Sequence, residues 1–157
     1  MPIVLYRIDD RLVHGQVVIG WGQALGVDFI VLVDDVVRQS EWEQELYRMA
    51  VPPEIEILFQ SVAEAAAALP GWLSDGRRGI VLTGDVSTMA ELVNATELIP
   101  RINLGGIHAR PGRIERRPYV YLSEEEMAAL RDLEEHGIKV TAQDVPTAAP
   151  VPLRALA

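Results

Sequence analysis

The chain has 157 residues, 49% hydrophobic and 24% charged, the balance of a globular protein with enough length for a sizeable core. Its formal net charge of -9 argues against a general nucleic-acid binder, because phosphate backbones attract basic surfaces. Cysteine is absent, which excludes disulfides, thiolate metal sites and cysteine nucleophiles.

Short apolar runs alternate with longer helical patterns. Ile3–Ile8 reads as a first strand, and the polar residues Arg7 and Asp9 come too early for a signal-peptide core. Gly15–Leu25 reads as a helix whose apolar face holds Val17, Val18, Trp21 and Leu25. Asp28–Val33 is a second strand, apolar throughout and so expected to be buried on both faces. A helix over Glu41–Ala50 is stopped by Pro52 and Pro53, and Glu54–Phe59 is a third strand. Ser61 caps an alanine-rich helix that Pro70-Gly71 is expected to end near Leu69. Gly79–Thr83 is a fourth strand, Ser87 is the expected cap of a helix over Thr88–Leu98, and Arg101–Leu104 is a fifth strand.

The rhythm then changes. Beyond the turn signal Arg110-Pro111-Gly112, the segment Arg113–Leu122 is rich in strand formers. Ser123 and Glu126 form a capping box for a helix reaching His136 and ended by Gly137. Ile138–Ala142 is a last strand, and the proline-rich tail after Asp144 is expected to lie over the surface. This alternation implies a three-layer α/β/α fold with a mostly parallel sheet of about six to seven strands and a β-hairpin element in the C-terminal part. Without a repeat or linker, residues 1–157 read as one domain. No apolar run has the length of a membrane span, and the expected compartment is the cytoplasm.

In such sheets ligands bind outside the carboxyl ends of the strands. The first such end is Asp9-Asp10-Arg11-Leu12-Val13-His14-Gly15-Gln16. At a helix start the macrodipole disfavours imidazolium, so His14 would be held as the nucleophilic neutral form. The unpaired backbone N–H groups of Gly15 and Gln16 can hold phosphate oxygens, and Gly15 lets the backbone approach. Arg11 supplies a cation of bidentate geometry, and either Asp9 or Asp10 can orient Arg11 or the imidazole. The spacing alone equally describes a surface loop with a cap. Thr83-Gly84-Asp85 reads as a turn and helix entry more than as a wall of a phosphate site, and Asp34-Asp35 is open to the same two readings. His108 reads as a loop histidine making a local hydrogen bond more than as a border of the site, His136 as a helix cap, and three histidines so scattered make no metal site. The arginines at 101, 110, 113, 116 and 117 form either a solvated hairpin face or a dock for an acidic partner.

The string RIDDRLVHGQV resembles the signature of the enzyme IIB component of the mannose/fructose/sorbose family of the bacterial sugar phosphotransferase system. VDD (33–35), MAVPP (49–53), INLGGIH (102–108), PYVYLSEEE (118–126) and VTAQDVP (140–146) resemble it in the same order, so the likeness covers essentially the whole chain. The resemblance implies that a phosphohistidine IIA protein gives its phosphoryl group to Nδ1 of His14. The sugar brought through the membrane by IIC and IID proteins then receives it. Arg11 matches the family's loop arginine, and Asn103 anchors the fifth-strand loop near His14 on the resemblance alone. The expected machinery is therefore His14, Arg11 and Asp10. Gly15, Gln16 and Arg11 bind phosphate, and Asp9, Asp34, Thr83 and Asn103 stand behind them. The resemblance further implies no cofactor or metal, membrane contact only through partners, and a possible homodimer. One departure is that the family's basic pair in the helix after the second strand is replaced by Trp42, Glu43 and Gln44. That departure keeps a second reading open, a regulatory phosphoprotein whose His14 phosphorylation signals to a partner without sugar transfer. A generic nucleotide-binding domain is disfavoured, because no Walker motif or G-x-G-x-x-G follows a strand.

Overall fold

Phe29–Val33 is buried at every position, which requires a layer of side chains against each face of the strand. The computed structural model describes residues 2–13 and 16–157, with residues 16–18 described by backbone alone. His14 and Gly15, on which the phosphoryl-acceptor reading centres, lie outside the described residues. The strands are β1 (Ile3–Ile8), β2 (Phe29–Val33), β3 (Glu56–Gln60), β4 (Gly79–Thr83), β5 (Arg101–Leu104), β6 (Ile114–Arg117), β7 (Val120–Leu122), β8 (Lys139–Ala142) and β9 (Val151–Pro152). The helices are α1 (Gln16–Leu25), α2 (Asp35–Arg38), α3 (Glu41–Ala50), α4 (Val62–Ser74), α5 (Val86–Thr96) and α6 (Glu124–Glu135).

Among the described residues a seven-stranded sheet runs in the order β3-β2-β4-β1-β5-β8-β9, parallel except for β9, and β6 and β7 form a separate antiparallel hairpin. The two faces divide the strand residues by alternation. Phe29, Val31 and Val33 of β2 join one core with Leu69 of α4, Met89 of α5 and Leu130 of α6. Ile30 and Leu32 join the other core with Trp21 of α1 and Tyr47 of α3. The three-layer architecture expected from the sequence is the one observed.

Three local expectations are corrected. Helix α4 does not stop at Pro70-Gly71 but continues to Ser74, with Pro70 inside it. Its last turn is held by packing, since Trp72 and Leu73 lie against the core and the Trp72 ring is 6.4 Å from that of Phe29. The Ser74 hydroxyl donates to the carbonyls of Pro70 and Gly71, at 3.2 and 3.1 Å. Helix α5 is capped by Asp85, not Ser87: the Thr88 N–H donates to the Asp85 carboxylate at 2.6 Å, which frees Val86 and Met89 to enter the core. The tail does not merely cover the surface. Val151 and Pro152 pair with β8, and Leu153 and Leu156 are buried.

The capping boxes of α4 and α6 both form. In the first, Glu64 accepts two bonds from Arg38, at 2.8 and 3.2 Å, and one from the Ser61 N–H at 2.9 Å. The Arg38 bonds, then the Ser61 N–H, hold its carboxyl down at about 2. A carboxyl depressed in the folded state stabilises the fold above its unfolded value, and that contribution disappears as pH falls through the folded value. NMR titration should therefore find the Glu64 midpoint near 2, rising toward 4.5 in Arg38→Gln. An unchanged midpoint in the variant would mean that Arg38 does not hold Glu64 in solution.

Candidate active site

Parallel register brings several loops to one edge of the sheet. Ile8 stands beside Thr83 on one side and Leu104 on the other, and Leu104 stands beside Ala142. The ladder carries on past the strand ends. The Asp9 N–H donates to the Thr83 carbonyl at 2.9 Å, Gly105 to Ile8 at 2.7 Å, Gln143 to Leu104 at 2.9 Å and Asp10 to Gly106 at 2.8 Å. The residues that follow β1, β4, β5 and β8 are thus fixed relative to one another by main-chain bonds.

The side chain at the centre of this edge is Arg7, which the sequence reading did not single out. It is 1% exposed. Its guanidinium donates to the Asn103 carbonyl oxygen, to the main-chain carbonyls of Gln143 (2.9 Å) and Asp144 (3.0 Å), and to the Asp9 carboxylate (3.1 Å). It also lies over the Trp21 ring, 4.8 Å from the centroid. Burial lowers the Arg7 pKa, and the charge and hydrogen bond of Asp9 oppose that shift.

Asp9 links Arg7 to Arg11. Its carboxylate is fully buried and accepts from Arg11 through Nε and Nη2, both at 2.9 Å, and through the Arg11 N–H at 3.1 Å. This fork-to-fork geometry fixes the guanidinium plane as a single ion pair would not. Arg11 itself is 27% exposed, so its outer edge faces the loop mouth. The hydrogen bonds to Asp9 come first among the causes that raise its pKa. Of the two carboxylates considered for this role, Asp9 is therefore the one that orients Arg11.

Asp10 points elsewhere. One of its oxygens accepts the His108 N–H at 2.7 Å, and the other stands 2.7 Å from His108 Nδ1, which ties the β1 loop to the loop after β5. His108 is thus a hydrogen-bonded loop histidine, and its partner is Asp10. Asp34 caps α2 by accepting from the Val36 and Val37 N–H groups, both at 2.9 Å, the helix-entry role of its two readings. Thr83 is buried and its hydroxyl contacts the Asp85 carbonyl at 3.3 Å. Asn103 accepts from Arg7 and donates to the Gln143 side chain. Of Gln16, the structure describes only that its backbone opens α1.

Two glycines make room for the arginines. A Cβ on Gly105 would lie 2.3 Å from Arg7 Nη2 and 2.6 Å from the Asp9 carboxylate. One on Gly106 would lie 2.7 Å from Arg11 Nε. Leu12 adopts a left-handed conformation at φ 51°, a strained arrangement for a branched residue, and its side chain covers Gly84. Beside Arg11 a cleft of about 340 Å3 opens between His108, Ala109, Pro118, Tyr119 and Tyr121.

The family model described as the PTS system sorbose subfamily IIB component matches residues 3–157. The chain belongs to that family. This IIB chain is 30% identical over 147 residues to the N-acetylgalactosamine-specific phosphotransferase enzyme IIB component 1 of Escherichia coli K12, covering 92% of this chain and 91% of the relative. It is 29% identical over 147 residues to the mannose-specific EIIAB component of the same strain, covering 94% of this chain and 46% of that longer protein. The structure of the IIBSor domain of the sorbose permease from Klebsiella pneumoniae superposes with a TM-score of 0.89 at 29% identity, over 99% of this chain and 96% of that one.

The stretch where this IIB chain departs from the expected basic pair is structural. Gln44 is buried and donates to the carbonyls of Val37 and Arg38, both at 3.0 Å, while Trp42 is exposed. Arg38 and Arg48 are engaged by Glu64 and Glu45. Of the arginines around the hairpin, Arg113 and Arg116 pair with Glu126 and Glu124, and their side chains are only 10% and 8% exposed, so these two are packed against the fold rather than solvated. Among the described residues no helix is long and apolar enough to cross a membrane, and no cluster of His, Asp or Glu has the makings of a metal site.

Proposed function

We propose that this chain is a phosphocarrier: His14 accepts a phosphoryl group from a phosphohistidine IIA protein and passes it to a sugar entering through IIC and IID proteins. The observation that carries the reading is the bidentate hold of buried Asp9 on Arg11, three residues before His14, at the end of the sheet where four loops meet. Family membership supports it, as does the joining of IIA and IIB in one mannose-specific chain.

In the transfer, the Nδ1 lone pair of neutral His14 attacks the phosphorus. The donor P–N bond breaks as the new one forms, and the electron pair stays on the donor ring. Each imidazole keeps the proton on its far nitrogen, so the donor leaves neutral and His14 becomes the phosphorylated ring. Transfer onward forms a P–O bond to a sugar hydroxyl and breaks the bond to His14, whose Nδ1 takes back the electron pair while the hydroxyl proton passes to water. A loose phosphoryl transition state asks mainly for position and charge. Arg11, held by Asp9, supplies the cation. The first N–H groups of α1 are unpaired donors for the phosphoryl oxygens. No cofactor is required, because the group travels covalently. The relatives are named for N-acetylgalactosamine, mannose and sorbose, so the substrate is proposed as a sugar of that class, and the setting as the cytoplasmic side of the membrane.

Purified enzyme I, HPr, a cognate IIA and labelled phosphoenolpyruvate should place acid-labile label on the wild type and none on His14→Ala. Label persisting on that variant sinks the assignment. Adding membranes with IIC and IID should yield sugar phosphate. Label on His14 with no sugar phosphate would favour the signalling role instead.

A further inference from the structure

Two carboxylates face Arg11, and they are not equivalent. Asp9 is fully buried and bonded on both oxygens to two guanidinium groups, so it cannot withdraw without stranding Arg7. Asp144 is 40% exposed, and among the described residues its carboxylate makes a single contact, to Arg11 Nη2 at 3.4 Å. The main chain of Asp144 is nevertheless fixed at the site, because its carbonyl accepts from Arg7 at 3.0 Å and from the Trp21 indole at 3.3 Å. The backbone thus holds the residue in place and leaves the carboxylate free to turn. The Asp144 charge also reaches Tyr119, which lines the cleft: burial pushes its hydroxyl up, and that charge adds to the shift.

The charges in this cluster cancel: Arg7 and Arg11 against Asp9 and Asp144. A phosphoryl group brings a charge of about -2. If all four side chains stayed in place, the phosphorylated site would carry that whole excess. The exposed carboxylate is the one that can leave Arg11 at little cost.

We propose that Asp144 is a positioning residue that competes with the phosphoryl group for Arg11. It occupies the guanidinium when His14 is free and turns away when His14 is phosphorylated. Its residual repulsion raises the tendency of the group to move on. This rests on the phosphocarrier reading above and adds to it a residue that sets how tightly the site keeps its cargo. Asp144 is thereby separated from Asp9, whose role is to hold Arg11 in either state.

The test is the equilibrium partition of label between a cognate IIA and this chain, for wild type, Asp144→Asn and Asp144→Glu. The asparagine variant keeps the backbone carbonyl that Arg7 and Trp21 use, and Asp144→Ala serves as a second neutral variant. Both neutral variants should shift label toward this chain about two- to fivefold, the range of a partly exposed ion pair. The shift should shrink as salt is raised. The glutamate variant should partition like the wild type, whereas a merely structural role would not sort the variants by charge. A partition unchanged in both neutral variants, or shifted toward the donor, overturns the proposal. Failure of the wild type to take label would defeat the parent reading instead, so the two failures are told apart.

Discussion

Asp9→Ala should lower the unfolding free energy by about 3–5 kcal/mol in urea, the cost of leaving one partner of a buried ion pair alone. The partner left behind is Arg7, which is 1% exposed. Arg11 would also lose both bonds that fix its plane. Label on His14 should therefore fall even at low denaturant, where the protein is still folded. The double variant Arg7→Met/Asp9→Ala separates the two effects. It removes both buried charges, so much of the stability should return. Arg11 would remain unheld, so phosphorylation should not return. A loss below about 1 kcal/mol in the single variant would show that water reaches Arg7.

The second large effect is expected at a glycine. Gly105→Ala would place a methyl group 2.3 Å from Arg7 Nη2 and 2.5 Å from its Cζ. Arg7 is bonded to Asn103, Gln143, Asp144 and Asp9, so it has nowhere to go. Overpacking of this kind costs about 1–3 kcal/mol, and here the upper end is expected. Gly106→Ala is the control. It meets Arg11, which is partly exposed and can give way by loosening its bonds to Asp9, so the stability loss should be smaller than at Gly105 while labelling of His14 slows. Equal stability losses at the two positions would contradict this picture of one locked and one yielding arginine.

Much of the fold was legible because local and global signals agreed. The limits of α3 match those read from Glu41 and the prolines after Ala50, and β4 and β5 match residue for residue. Misreadings arose where tertiary packing overrode a local cue. Pro70 looked like a stop, but Trp72 and Leu73 had a core to join. Ser87 and Asp85 were both good caps, and the need to bury Val86 and Met89 decided between them. Of the site, Arg11 is readable from the loop string, whereas Asp9 is only one of two candidate carboxylates there, and the sequence reading prefers its neighbour Asp10, which the structure places on His108. Arg7 was not readable, because an arginine within Ile3–Ile8 looks the same whether a strand is at the edge or buried. The available signal was its spacing: Arg7 and Asp9 are two apart and so share a face, as an ion pair in a strand requires. Asp144 was missed because the tail was read as a covering, and its contact to Arg11 depends on β8 lying two strands away from β1.

The bonds around Arg7 also determine when the site can exist during folding. They join residue 7 to residue 103 and to residues 143 and 144, spans of 96, 136 and 137 positions. Contacts of such separation are paid for in loop-closure entropy before they return anything, and they form late. A nascent chain that has emerged only as far as β5 can assemble β1, β2 and β4 but has no acceptors from residues 143 and 144 for Arg7. Competence to hold phosphate is thus a property of the finished molecule, acquired after most of the sheet is in place. The same contacts should be among the first to open when the C-terminal strand pair frays, so site amides should exchange with solvent ahead of those in β2 and β4.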